Sequence, residues 1–213
     1  MRSPSILLVI TVLVCLTGCE HVVSGQAQAA PAPAPGPSLG VVSRSALRFR
    51  PVIREAPASA TGPSTGAPTQ RQSPDKTGQQ AALDALYCAH NNSDPLAGKD
   101  DPALPLVTCD QTGTTKYILG PAILSGADLA TVSVAPVPHS SDFELNLTLR
   151  AAGSKTWANW TAAHVNDAMA FVLDAQVLYA PTIDEAIPGG NTTVTGNFTE
   201  QEAVRLAHQI AGG

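Results

Sequence analysis

The side chains in this sequence that are able to do chemistry are few, and their spacing limits what they can do. Adjacent carboxylates stand at Asp100-Asp101 and at Asp184-Glu185, a single histidine, His164, follows the two tryptophans Trp157 and Trp160, and cysteines occupy positions 15, 19, 88 and 109. Neighbouring carboxylates are hard oxygen donors that suit Ca²⁺, or an acid and base working as a pair, but two adjacent acids on a loop are as readily a solvated pair. An imidazole titrates near neutrality and can serve as a base. No partner for His164 can be assigned from sequence, so packing beside the tryptophans is its plainer role. Trp157 and Trp160 share a helical face and are either core residues or, where the face is open, anchors for an extended peptide. His-Glu-x-x-His, the phosphate loop and the dinucleotide fingerprint are all missing from the sequence. No catalytic residue, metal ligand or cofactor is therefore assigned, and a binding module is expected rather than an enzyme.

The cysteines separate into two groups. An apolar run from Ile6 to Leu16 follows Arg2; it is short for a membrane span and has the length of a signal-peptide core. The run ends in Leu16-Thr17-Gly18-Cys19, which resembles the bacterial lipobox, where small residues before the cysteine fit the signal peptidase and the sulfur receives diacylglycerol. Residues 1–19 are thus expected to be a lipoprotein signal with Cys19 as the lipidated residue; an ordinary cleaved signal or an uncleaved anchor are the other options. Acyl chains contribute about 0.8 kcal/mol per buried methylene, so two or three of them hold a protein on a membrane firmly. Cys15 leaves with the signal. Cys88 and Cys109 remain, and outside the cytoplasm they are expected to pair, closing a loop that contributes about 3 kcal/mol in the chain-entropy model. A metal site is the alternative, with two lone thiols and no clustered histidine pair against it.

Composition describes what must carry these residues. The chain has 213 residues, a net charge of −5 and 14% charged side chains, against a usual ~25%; binding of nucleic acid through a general basic field is excluded on that count. With 18 Pro, 17 Gly and 4% aromatics, part of the chain cannot bury enough apolar surface to fold. Residues 20–75 read as a Pro/Ala/Ser-rich tether, with Ala30-Pro31-Ala32-Pro33-Ala34-Pro35 as its plainest stretch. Its charges are Arg44, Arg48, Arg50, Arg54 and Arg71 against Glu20, Glu55 and Asp75, so it is mildly basic, whereas residues 76–213 are acidic. One island, residues 47–53, alternates apolar and basic residues as a half-buried strand does. Pro51 would restrict it to an edge or a strand end, and an unstructured stretch is the other reading.

From residue 76 to 213 an α+β domain is expected, a mixed or largely antiparallel sheet with helices packed on one face. Asp75 caps a helix over 76–89, Ser154 one running to about Ala168, and Thr199 to Glu202 form a capping box for the last helix. Phe143, Leu145, Leu147 and Leu149 alternate on the clearest strand, and further strands fall at 116–119, 129–134, 170–173, 176–179 and 192–196. Asp174-Ala175 would form a tight turn between two of them.

The order of Lys116 to Pro121, Trp157 and Thr161, Val172 to Ala175, Val177 to Ile183, Ile187 to Gly190, Thr193 to Thr199 and then Glu202-Ala203 and Leu206-Ala207 resembles the head of the first extracytoplasmic domain of SecD, an auxiliary membrane subunit of the Sec protein translocase. The resemblance runs over about residues 104 to 211, and the 47–53 island and the cysteine pair also resemble actinobacterial SecD. It implies a SecD head-like α+β fold and a non-catalytic module contacting exported polypeptides or translocase components at the outer face of the bacterial cytoplasmic membrane. Here lipid would stand in place of membrane helices, without proton-coupled transport. The family turn usually reads Asp-Gly, so a different turn type is expected at Asp174-Ala175. Gly189, Gly190 and Gly196 would supply backbone conformations closed to other residues, or a mobile loop at a binding surface. A binder of a small envelope ligand, lipid or glycan, on the same scaffold is the second functional reading.

Overall fold

The computed structural model describes residues 39–40, 47–58, 67–88 and 94–212. By its contacts the chain divides into Met1–Ala32 and Pro33–Gly213. The first unit lies outside the described residues, and with it the signal peptide and Cys19. In chain order the second unit contains β1 (Leu39–Gly40), β2 (Arg48–Pro57), α1 (Pro68–Arg71), α2 (Lys76–Ala85), β3 (Leu106–Cys109), β4 (Thr115–Leu119), β5 (Leu124–Ser125), β6 (Leu129–Pro136), β7 (Phe143–Leu149), α3 (Ala151–Ala163), β8 (Met169–Leu173), β9 (Gln176–Tyr179), β10 (Asn191–Phe198) and α4 (Glu200–Ala211). The fold is α+β with antiparallel strand pairing. In place of one sheet there are two, a four-stranded sheet in the order β1-β6-β7-β10 and a larger one in the order β3-β4-β2-β8-β9, with β5 added on β2.

Alternation builds the four-stranded sheet. Leu145, Leu147 and Leu149 of β7, Val132 of β6 and Val194 of β10 turn one face inward, where Ala203, Leu206, Ala207 and Ile210 of α4 and Trp157 of α3 cover it. Thr199 caps α4 as its sequence implies: its hydroxyl accepts from the Glu202 N–H, and the Glu202 carboxylate accepts from the Thr199 N–H at 3.0 Å. Burying the apolar stripe of such a helix supplies most of its stability. α3 begins at Ala151, earlier than the Ser154 cap placed it, and Ser154 instead donates to the Arg150 carbonyl at 2.9 Å. It also ends early, at Ala163, so that Gly153, Trp157 and Thr161 form its buried face while Val165 lies outside it, 39% exposed.

The larger sheet corrects the expectation for residues 47–53. Rather than a docked edge strand, β2 is its central member: Arg48 to Pro51 pair with β8, and the run from Val52 to Pro57 pairs with β4 on the other side. Pro51 stands where the β8 pairing ends, so its lack of an N–H costs little there, and its carbonyl accepts from Gly120 N–H at 2.8 Å. The sheet curls until its outer strands meet. Gln111 N–H donates to the Val177 carbonyl at 3.1 Å, Thr108 Oγ1 donates to the Ala175 carbonyl, and Asp110 bridges Val177. Leu106, Tyr117, Leu119, Ala170, Val172, Ala175 and Val177 fill a second core.

Two arginines that composition placed in a solvated tether are inside the fold. Arg50 is fully buried: Nη2 donates to Asp100 Oδ2 at 2.7 Å and to the Asp101 carbonyl at 3.0 Å, and Nη1 to the carbonyls of Leu104 and Gly120 at 2.7 and 3.0 Å. Burial lowers its pKa, against the raising effect of Asp100. Arg71 grips Asp94 with both Nη atoms at 2.8 Å and donates through Nε to the Val107 carbonyl at 2.7 Å. The domain therefore includes residues on the tether side of the expected boundary at 76. α2 stops at Ala85, short of the expected 89, because Leu86 turns extended and buries its side chain. Lys116 Nζ donates to the free carbonyls of Leu83 and Leu86. Cys88 is thereby carried to Cys109, and the two form a disulfide.

Candidate functional site

The segment after β9 is held away from β10 by a short series of hydrogen bonds. Pro181 ends β9 and its carbonyl accepts from Met169 N–H at 2.9 Å; Ile183 N–H donates to Asp167, and Ile187 N–H donates to the buried Thr161 hydroxyl of α3 at 3.0 Å. Between this anchored segment and β10 lies a cleft of about 530 Å³. Trp157, Phe171, Ile183 and Ile187 line it with apolar surface, and Asp184 and Glu185 are exposed among its lining residues. Phe49 supports the aromatic part from within, edge-on to Phe171 at 4.8 Å and to Trp157 at 6.3 Å.

The two tryptophans proposed as joint surface anchors are placed differently. Trp157 is 2% exposed, a core residue that also lines the cleft, and its indole Nε1–H is buried without an acceptor. A buried donor left unpaired costs about 1–3 kcal/mol. Trp160 is half-buried, stacked between Trp157 at 6.0 Å and His164 at 4.4 Å. His164 does have a partner, Asp167, with Nδ1 and Oδ2 2.8 Å apart. Asp100 and Asp101 do not act as a pair: Asp100 is buried on Arg50, and Asp101 Oδ1 accepts from Ala103 N–H. Among the described residues no group of three or more His, Cys, Asp or Glu could hold a metal ion.

Tyr179 closes one side. Burial raises its pKa, which keeps the phenol protonated, and Oη donates to the Thr195 carbonyl of β10 at 3.0 Å. None of Gly189, Gly190 or Gly196 has a positive φ; Gly190 and Gly196 serve close approach, whereas Gly189 faces open space. A Cβ on Gly196 would lie 2.6 Å from the Tyr179 hydroxyl, and one on Gly190 would strike Ser154 Oγ. Sequence reasoning missed Ile183, Ile187 and Tyr179 as a set because they converge only after the chain turns at Pro181; Ile187-Pro188-Gly189-Gly190 before a threonine-rich strand was the one available signal. The arrangement offers an apolar floor, an unpaired indole donor and a carboxylate rim, which suits recognition.

The family model of the SecDF P1 head subdomain matches residues 105–213. Among characterised proteins the chain is similar to the protein translocase subunit SecD of Mycobacterium tuberculosis H37Rv, 38% identical over 146 residues, covering 67% of this chain and 26% of that protein. It is also similar to SecD of Acidaminococcus fermentans, 32% identical over 120 residues, covering 55% of this chain and 28% of that one. The chain thus spans about a quarter of the length of these relatives. Among solved structures, that of a membrane component SecDF that enhances protein export is 23% identical with a TM-score of 0.44, covering 80% of this chain and 64% of that one. The crystal structure of SecDF in a super-membrane-facing form is 24% identical with a TM-score of 0.45, covering 80% of this chain and 19% of that one.

Proposed function

The chain belongs to the SecDF P1 head subdomain family, and on that premise we propose that it is a non-catalytic binding module of protein export, contacting exported polypeptides or components of the Sec translocase outside the cytoplasm. The observation that carries this reading is the family match over residues 105–213, joined to a cleft that sets apolar side chains beside threonines and an acidic rim. In this reading Cys19 carries the lipid that holds the protein on the outer face of the cytoplasmic membrane, with the tether setting its reach. The spacing of Leu16-Thr17-Gly18-Cys19 after a short apolar run supports the anchor. No helix among the described residues is long and apolar enough to cross a membrane. Proton-coupled transport is not part of the proposed role.

The test is in-cell photocrosslinking from a probe placed at Glu185, followed by purification of the lipidated full chain. Recovery of unfolded secretory proteins or translocase subunits is the expected result; recovery of neither refutes the reading. The cleft volume favours one second reading, because about 530 Å³ lies within the ~300–1,000 Å³ typical of small-molecule sites. A lipid or glycan that copurifies with the chain, in place of polypeptides, would establish that alternative.

A further inference from the structure

We propose that the cleft binds an extended, unfolded polypeptide by strand addition to the free edge of β10, with alternate apolar side chains of that polypeptide on the cleft floor and basic ones at its rim. This rests on the reading that the domain contacts exported polypeptides, and it names the site and the mode.

Among the described residues β10 is the outer strand of its sheet and pairs only with β7. Leu149 N–H donates to the Gly190 carbonyl; in an antiparallel ladder bonded residues recur every second position, so Thr192 and Val194 direct their backbone groups to β7. Asn191, Thr193 and Thr195 direct theirs the other way, away from β7, along the run Asn191 to Thr195 that lines the cleft. The Tyr179 hydroxyl bonded to the Thr195 carbonyl confirms the direction. Thr193 N–H and C=O are left without backbone partners among the described residues.

Soluble proteins protect such edges with lysine, proline, a bulge or a covering element. From Asn191 to Val194 β10 has neither charge nor proline, and its bulge comes only after Val194. The one segment beside the edge, 181–189, stands off by the width of the cleft. An unpaired edge next to an apolar floor is the arrangement in which main-chain bonds supply affinity and alternate side chains enter pockets. Asp184 and Glu185 are the charged residues of the lining, with no cation among them. They select basic over acidic segments.

The experiment uses the purified full chain in detergent micelles and a fluorescein-labelled heptapeptide of alternating valine and lysine, read by anisotropy. Two further peptides have N-methyl groups on every lysine amide or on every valine amide, so that each has one strand edge blocked and its side chains unchanged. Strand addition requires that one methylated peptide bind like the parent and the other lose tenfold or more. A peptide with glutamate in place of lysine is expected to bind at least tenfold more weakly. Thr193→Pro removes the free-edge N–H while leaving the bonds to β7, and a tenfold loss is expected where Thr193→Ala changes little; if Thr193→Pro does not fold, the methylated pair on the unaltered chain decides. Equal binding of both methylated peptides overturns the proposal, as does no peptide binding while crosslinks to exported chains persist, which leaves the functional reading intact with its site elsewhere. Loss of both the peptide binding and the crosslinks fails the functional reading itself.

Discussion

Replacing the Arg50–Asp100 pair by apolar residues gives the sharpest test of how this domain is held together. In many proteins an apolar substitution of similar volume for a buried ion pair is neutral or stabilising, because the desolvation of two charges is avoided. Here the outcome is expected to be the opposite. The guanidinium binds three backbone carbonyls, those of Asp101, Leu104 and Gly120, besides the Asp100 carboxylate; when the pair is gone that of Asp101 still accepts from Gln72 Nε2, while those of Leu104 and Gly120 keep no other donor among the described residues. Each buried acceptor left without a donor costs about 1–3 kcal/mol, so the double variant Arg50→Met/Asp100→Leu is expected to lose about 2 kcal/mol or more. Asp100→Ala alone leaves the buried cation uncompensated, at about 3–5 kcal/mol. Arg50→Met costs more than either, since it orphans a carboxylate and two carbonyls together, and adding Asp100→Leu recovers part of the loss. Equilibrium unfolding in urea with an unchanged m-value measures all three. A double variant within about 1 kcal/mol of the unaltered protein would refute the argument that Arg50 acts chiefly as a clamp on backbone.

Further outcomes follow from other contacts. Non-reducing peptide mapping is expected to find Cys88 joined to Cys109, and Cys88→Ser/Cys109→Ser is expected to lose about 3 kcal/mol, a fall in Tm of roughly 10 °C. Ala175 sits at φ +60° with its side chain fully buried. Ala175→Gly relieves the left-handed conformation but gives up a buried methyl worth about 0.8 kcal/mol, so the net change in Tm should be small, whereas the β-branched Ala175→Val should lower it clearly. Burial, and after it the charges of Glu55 and Asp110, push the Tyr117 phenol up to about 12. A raised pKa means that the folded state favours the neutral phenol, so stability is fully present below the unfolded value of about 10 and declines as pH rises through 12; Tyr117→Phe should remove that limb. At Asp110 burial raises the pKa, but hydrogen bonds from Thr112, Thr115 and Thr114 outweigh it and hold it low. Its contribution is therefore present above the ordinary carboxylate range and lost as pH falls through the folded value; Asp110→Asn should flatten the acid limb of the urea midpoint.

Periodic segments were legible because one strand or helix face must be buried whatever its neighbours are. The alternation in β7, the capping box of α4 and the apolar faces of β8 and β9 all fall where sequence placed them. Leu47 to Arg54 was misread as an edge because Pro51 forbids a ladder bond, and sequence does not show that a strand can change partners at that residue. Arg50 and Arg71 resembled a solvated basic face because their carboxylates lie 50 and 23 residues away, beyond any local pattern. The Asp174-Ala175 turn takes the geometry that Asp-Gly favours in hairpins: both residues have positive φ, 49° and 60°, as a type I′ turn requires. Chain propensity argued against that; a buried methyl in the core offsets the strain. For the site, the tryptophan pair was found but not its division into a cleft-lining core residue and a half-buried one, because α3 ends a turn earlier than its apolar spacing suggests.

β2 also decides how the domain bears a load. The chain pairs first as β1, two residues at the edge of the four-stranded sheet, and then enters β2, which lies between β4 and β5 on one edge and β8 on the other. A pull from that side runs along the strand axis, and to extract β2 it must slide the strand against its neighbours, loading many ladder hydrogen bonds at once. Peeling from a sheet edge would instead break them one after another. Once the two-residue β1 is released, tension from the N-terminal side is borne by β2 in shear, while β10, at the outer edge of the other sheet, is not the strand being pulled.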